Sequence, residues 1–337
     1  MGMEAVTGLR ELFERKDDEV FLNYFVRLFE NKDVYGLTCG KIADLLNNES
    51  AVKKNESAWR KEYAAFNRGR IYERAAAEKD IANRILSISD LHIPFNLPLV
   101  VFDNYINIVD TLVLNGDTED CQSCSKYHKK YRVDFINEMI ITRQFIIDLI
   151  NKIKPKRVII LKGNHEIRMG RYLSEKLNDD FMSIMPDTPM DLIVCDGFKD
   201  RDRLKKTETW YIPLTEIFKA YGIDISYTGD WFCKIGRSIF AHPLSYSSGM
   251  LKTTEKALEY FLRIDRDFNC LVLGHTHKLG SYIQGNIIMY EQGCCCDLSK
   301  LDYNNGYLNI PGQNGFIYVC QDKDGNVINE KTRLILI

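Results

Sequence analysis

What the sequence lacks narrows its class first. Its 337 residues include only 8 prolines, 3 tryptophans and 6 histidines. No apolar run approaches the roughly 18 residues that a bilayer-spanning helix needs, so no membrane partner is expected. The opening stretch MGMEAVTGLRELFERKDDEV is too polar to resemble a secretory signal. Without such a signal, the 10 cysteines read as free thiols in a reducing compartment, and the expected location is the cytoplasm. An excess of charge of either sign is also missing. A net charge of −2 excludes a chain that clings to nucleic acid through bulk charge, although a local basic patch could still bind it. There is no internal repeat and no low-complexity tract.

What is present changes character near residue 84. Before it everything reads as helix. Leu9, Leu12 and Phe13, then Val20, Phe21, Tyr24, Phe25 and Leu28, recur at helical spacing and predict one or two helices over 4–31. Thr38 is a candidate N-cap for a helix carrying Ile42, Leu45 and Leu46, followed by a polar loop over 47–56. A longer helix is expected from Ser57, with Trp59, Tyr63 and Phe66 on one face and Arg60, Lys61 and Arg68 free to point elsewhere. Between Lys53 and Arg84 nine Lys or Arg face five Asp or Glu, a local excess of +4. The layout is that of a helix-turn-helix-like module with a DNA-reading second helix, so Arg60, Lys61 and Arg68 are candidate DNA contacts.

From Arg84 onward, short β-rich runs alternate with helical ones. RILSISDLH ends in Asp90 and His92, IVDTLVLNGDTED in Asp117 and Asp120, KRVIILKGNHE in Asn164, His165 and Glu166, GRSIFAHP in His242, and CLVLGHTH in His275 and His277. Five of the 6 histidines therefore sit at the carboxyl ends of predicted strands, where α/β sheets form their ligand crevice. Carboxylate, imidazole and amide oxygen together suit Mn²⁺, Fe²⁺ or Zn²⁺ better than Mg²⁺, Ca²⁺ or a thiolate-bound zinc. Two adjacent cations need a shared ligand, and Asp117 is the candidate bridge. In Asp90-x-His92 and His275-x-His277, alternate residues of an extended segment would point the same way.

Taken in order, DLH, GDTED, GNHE, AHP and GHTH resemble the five motifs of the calcineurin-like metallophosphoesterases. The resemblance covers about residues 84–320. It implies an α/β fold, a four-layer sandwich of two mixed β-sheets flanked by helices, here preceded by a small all-α module. The expected domains are 1–83 and 84–337, with 167–235 as a cap or insertion. It further implies two divalent cations, Mn²⁺ by preference with Fe²⁺ or Zn²⁺ as alternatives. Asp90, His92, Asp117 and His277 would hold one, and Asp117, Asn164, His242 and His275 the other. His165 would be the general acid, Asp120 its orienting partner, and Glu166 a support behind the ligands. A bridging water would attack phosphorus in line while His165 protonates the leaving oxygen.

Protein phosphatases of this kind follow GDxxD with a phosphate-gripping arginine, and here that position is Cys121. The departure moves the reading toward phosphodiesterases and nucleases acting on DNA, similar to DNA-repair exonucleases and arranged as in phage and prophage proteins. The setting would then be a bacterial host's cytoplasm. The competing expectation is a recombination directionality factor that binds a large serine integrase on DNA without needing hydrolysis. A homodimer through helices near the site is a further expectation. Cys121, Cys124, Cys294, Cys295 and Cys296 lack standard zinc spacing. The stretch SKYHKKYR, with His128, is expected to be solvated, and VCQDKDGNVINE to turn at Asp324-Gly325.

Overall fold

The computed structural model describes residues 13–16, 19–77, 80–126, 133–202, 206–247, 249, 251–301 and 312–337, with only the backbone over 71–77 and at 202. His128 and the first twelve residues thus lie outside the described part. The chain divides into two compact units, Met1–Lys79 and Asp80–Ile337. Among the described residues no helix is long and apolar enough to cross a membrane.

The first unit contains α1 (Phe21–Glu30), α2 (Cys39–Glu49) and α3 (Glu56–Ala77). The Thr38 hydroxyl accepts the Lys41 N–H at 3.2 Å and so caps α2 as its position predicts. That helix continues to Glu49, so the loop expected from residue 47 begins later, at Ser50. Tyr24, Phe25, Leu28, Ile42, Leu46 and Trp59 form the buried centre. The rings of Phe29 and Tyr63 stack with centroids 4.6 Å apart. Arg60, Lys61 and Arg68 are exposed on α3, and Arg60 lies 3.7 Å from Glu56.

The second unit is built on two mixed sheets. The first has the order β13-β12-β1-β2-β3-β6, and the second β10-β11-β9-β8-β7. In the first sheet β1 (Asn83–Ile88), β2 (Thr111–Asn115), β3 (Arg157–Leu161) and β6 (Asp224–Tyr227) run parallel. Next to β1 lies antiparallel β12 (Gly315–Gln321), which pairs with β13 (Arg333–Leu336) beyond a turn containing Gly325 at φ 79°. The second sheet joins β7 (Phe232–Ile235), β8 (Ser238–Ala241), β9 (Cys270–Leu273), β10 (Leu279–Gln284) and β11 (Ile287–Gln292).

Alternation along the strands sorts side chains into layers. Ile85, Val113, Ile159, Phe240 and Val272 fill the space between the sheets. Their neighbours Leu86, Leu112, Leu114, Val158 and Ile160 turn outward into the cluster that holds Met139, Ile146, Leu149 and Ile150 of α4 (Phe135–Ile153). On the far side Ile239, Ala241, Leu271 and Leu273 pack with Ala257, Leu258 and Phe261 of α8 (Lys252–Ile264). The result is the four-layer α/β sandwich. Strands buried on both faces explain why these segments read as continuous apolar runs.

The interval 167–235 is not a single cap. It contains α5 (Ile167–Ser174), the short α6 (Asp179–Met182), the β4 (Phe198–Asp202) and β5 (Thr207–Tyr211) hairpin and α7 (Leu214–Lys219), but β6 and β7 within it belong to the two main sheets. The added material is the part before β6. Short polar strands such as DISY carry too little apolar signal to be told from an insertion by sequence.

Candidate metal centre

All five predicted tips converge at the carboxyl ends of β1, β2, β3, β8 and β9. Three groups of side chains have ligand atoms within 4.8 Å of one another: Asp90, His92 and His277; His92, Asp117 and His165; and Asp117, His242 and His275. Asp117 and His92 each belong to two groups and so tie the cluster together. His277 Nε2 is 3.0 Å from Asp90 Oδ1 and 3.3 Å from His92 Nε2. His242 Nε2 is 3.3 Å from both Asp117 Oδ2 and Asn164 Oδ1, and His275 Nδ1 is 2.5 Å from that same amide oxygen. Asp90, His92, Asp117 and His242 are buried, while Asn164, His275 and His277 are half-buried and mark the open side.

The extended-segment reading of the paired ligands is corrected by the backbone. Strand β1 ends at Ile88 and β9 at Leu273, before either pair. Asp90, His92, His275 and His277 have φ of 53°, 45°, 72° and 54°, and Asp117 has 48°, all in the left-handed region. Non-glycine residues pay of order 1 kcal/mol or more for such a conformation, which persists where surrounding contacts impose it. Here the Asp90 N–H donates to Gly116 O at 3.1 Å, the His92 N–H to Asp117 O at 3.0 Å, and the His275 N–H to Asp90 Oδ2 at 2.9 Å.

The far sides of the imidazoles are fixed as well. His92 Nδ1 donates to Asp120 Oδ1 at 3.1 Å and His242 Nδ1 to Asn115 O at 2.7 Å, which points both Nε2 atoms at the cluster. Asp120 also lies 2.9 Å from His165 Nδ1, so one carboxylate orients two imidazoles. Burial would raise the Asp120 carboxyl, but hydrogen bonds from His165 and His92 hold it well below the usual range. Among the described residues the hydrogen bonds of Glu166 go to backbone N–H groups and not to the side chains of the site. Its carboxylate accepts N–H groups from Thr118 (2.6 Å), Gly163 (2.9 Å), Glu119 (3.1 Å) and Asp117 (3.2 Å), and thereby latches the loop after β2 to the loop after β3.

The sequence reading missed Ser89, Gly116 and Arg168. Ser89 bonds Asp90 and also Asn115 O, the latter at 2.9 Å. Gly116 has φ 77°, and a Cβ there would lie 2.3 Å from the His242 ring. Gly116→Ala is therefore expected to push His242 off the cluster and to leave a folded protein with about tenfold or greater loss of metal affinity, read by metal titration and circular dichroism. Wild-type affinity in that variant would show that the close approach is not limiting. Arg168, one helical turn beyond His165, places a guanidinium nitrogen 2.8 Å from His165 Nε2. No thiol enters any metal-capable group among the described residues; Cys294 and Cys295 bond Gln313 O and Gly315 O instead.

Does this donor set fit two cations? Burial alone would lower His242 and His277, yet Asp117 and Asp90 raise His242 to about 10, and Asp90 raises His277 to about 9. Burial, with His242 nearby, lowers His275 to about 4. The two carboxylates thus call for one positive charge in the Asp90 group and one in the Asp117 group, which is the charge pattern that two cations would satisfy. Protons and metals then compete. Mn²⁺ added in weakly buffered solution at pH 7 is expected to release protons, with affinity rising about tenfold per pH unit for each proton displaced. Binding without proton release, measured with an indicator dye, would contradict this assignment of charge.

Comparison with known proteins decides the family. The sequence profile of the calcineurin-like phosphoesterases matches residues 83–279, more than half of the chain. The chain belongs to the calcineurin-like phosphoesterase family. Residues 10–78 match the YonJ N-terminal domain. The SPbeta prophage-derived uncharacterized protein YonJ of Bacillus subtilis (strain 168) is 35% identical over 66 residues, which span 20% of this chain and 16% of that protein. Similar solved structures include Vacuolar Protein Sorting 29 from Cryptosporidium parvum (16% identity, 77% of this chain and 98% of that one, TM-score 0.35). An archaeal phosphodiesterase is also similar (14% identity, 75% and 99%, TM-score 0.35). As a calcineurin-like phosphoesterase, the chain belongs to a family that uses divalent metals, and its Asp/His cluster lies within the matched segment.

Proposed function

We propose that this calcineurin-like phosphoesterase is a metal-dependent phosphodiesterase whose substrate is DNA. The observation that carries the reading is that two metal-capable groups, Asp90 with His92 and His277, and Asp117 with His242 and His275, lie side by side, joined by a third group that contains both His92 and Asp117. Asp90, His92, Asp117 and His277 would hold one cation, and Asp117, Asn164, His242 and His275 the other. When bound, the cations supply the charge that polarises a phosphoryl group and makes water nucleophilic at neutral pH. Carboxylate, imidazole and amide ligands together favour Mn²⁺, with Fe²⁺ or Zn²⁺ as substitutes.

The protein's own residues do the rest. His165 Nε2, 3.8 Å from Asp117 Oδ2, faces the centre and gives a proton to the leaving oxygen, while Asp120 holds its Nδ1. Cys121 is fully buried and cannot grip a phosphomonoester as an arginine would, which supports a diester substrate. Exposed Arg60, Lys61 and Arg68 on α3 are the side chains we assign to the DNA backbone.

The test is hydrolysis, with Mn²⁺, of labelled single- and double-stranded DNA beside bis(p-nitrophenyl) phosphate. Metal-dependent cleavage of DNA that His165→Ala lowers by about 10²–10⁴-fold supports the reading. Cleavage of the small diester only would remove DNA as substrate. Metal-loaded protein that cleaves nothing yet binds a serine integrase on DNA would replace the enzyme by the regulatory role.

A further inference from the structure

We propose that Tyr246 is a stacking platform for the nucleobase next to the phosphate being cleaved, so that the site selects nucleoside diesters with an unstacked base over simple diesters. This deepens the phosphodiesterase reading above and rests on it. Tyr246 lies four residues beyond His242, in the loop that joins β8 to α8. Its ring centroid is 6.1 Å from that of His275, with the two planes tilted by 55°. His275 is one of the half-buried residues that mark the open side of the centre, and Tyr246 stands outside it, 52% exposed. An aromatic ring therefore borders the entrance, one side chain away from the clustered donors.

Two further contacts fix where that ring is offered. The residue after it, Ser247, donates its N–H to Thr253 Oγ1 at 3.1 Å and accepts from Lys256 Nζ at 2.8 Å, which pins the loop to the first turns of α8. The ammonium of Lys278 lies 5.6 Å from the centroid of the Tyr246 ring. Lys278 directly follows His277, and its carbonyl accepts the Gly293 N–H at 2.7 Å, so the cation is anchored from the same loop that carries two of the donors.

An exposed ring beside an anchored cation is the pairing that single-stranded nucleic acid recognises. Each base has a π face to lay on the ring whatever its identity, while the cation suits the charged backbone between bases. Cation and base need not compete, because a ring has two faces. A base inside a duplex is covered by its neighbours and must leave the stack before it can lie on a side chain. Single strands and frayed ends meet that condition without cost, and a blunt duplex does not.

The experiment uses the full chain loaded with Mn²⁺ and two esters with the same leaving group, thymidine 5′-(p-nitrophenyl phosphate) and methyl p-nitrophenyl phosphate. Because p-nitrophenolate departs from both, the ratio of their kcat/KM values reports what the nucleoside adds. Tyr246→Ala is expected to lower that ratio by about tenfold or more, and to weaken binding of thymidine 5′-monophosphate, followed by calorimetry, by a similar factor. Tyr246→Phe should keep most of both, since the ring face survives. An unchanged ratio and unchanged nucleotide affinity in Tyr246→Ala would overturn the platform and leave the phosphodiesterase reading standing. Equal losses on both esters together with loss of Mn²⁺ would also overturn it, because that marks a ring that merely props His275. Blunt duplex DNA cleaved as fast as single strands would remove the selection for unstacked bases. A wild type that hydrolyses neither ester would overturn the phosphodiesterase reading, with weaker nucleotide binding in Tyr246→Ala still supporting the platform.

Discussion

Asp117→Asn is expected to leave the protein folded, to reduce its bound Mn²⁺ from two ions to one or none, and to lower phosphodiester hydrolysis by about 10³-fold. Both oxygens of this buried carboxylate are in use. Oδ1 accepts the His165 N–H at 2.8 Å, and Oδ2 faces His242 Nε2 at 3.3 Å and His92 Nε2 at 4.0 Å. Asparagine keeps an oxygen for His165 and turns an NH₂ group toward the histidines, so the loop survives while the shared anion is lost. Metal-assisted charge stabilisation is worth several kcal/mol, and about 4 kcal/mol corresponds to roughly 10³ in rate. The metal-free fold should lose some stability at neutral pH, because, against the cost of burial, His165, His242 and His92 hold the Asp117 carboxyl well below the usual carboxylate range, and that compensated charge is lost in the variant. Metal analysis together with initial rates checks this. Two ions bound with wild-type affinity in the variant would remove Asp117 as the shared ligand.

Glu166→Ala is expected to cost about 3–5 kcal/mol of stability and to weaken Mn²⁺ binding by about 10–100-fold, even though Glu166 is not proposed to touch metal. Its two oxygens accept four buried N–H groups, those of Asp117, Thr118, Glu119 and Gly163. Burial and the charge on Asp117 push Glu166 up to about 7, against the pull of those donors. The four donors occupy the lone pairs of both oxygens, so the latch is a carboxylate. Alanine would leave the donors without partners at roughly 1–3 kcal/mol each, less whatever entering water recovers. Glutamine should fall between, since its oxygen serves one pair of donors and its NH₂ group opposes the other. Denaturant unfolding of the metal-free proteins and Mn²⁺ titration separate the two effects. An alanine variant as stable as wild type, with unchanged affinity, would show that the loops hold their shape without the latch.

Most of the centre was legible in the sequence because strands and metals leave local marks. An apolar run that stops at Asp, Asn or His states both where a strand ends and what it delivers, and the order of five such endings was enough to expect the fold. Thr38 and the faces of α2 and α3 were readable for a similar reason, since capping and helical period act within a few residues. The short polar strand β6 was missed because its place beside β3 is fixed by pairing with Arg157–Ile160, residues far away in sequence.

What only the tertiary structure decided is how the ligands reach one another. Left-handed φ values at Asp90, His92, Asp117, His275 and His277 are imposed by hydrogen bonds between loops from different strands, and no residue type there announces them. The latch by Glu166 and the hold of Arg168 on His165 depend on which loop lies beside which. The sequence by itself determined the donor atoms and the strands that carry them, because those follow from residue type and local period. The closeness of the donors and the guanidinium of Arg168 beside His165 follow from long-range packing of the two sheets.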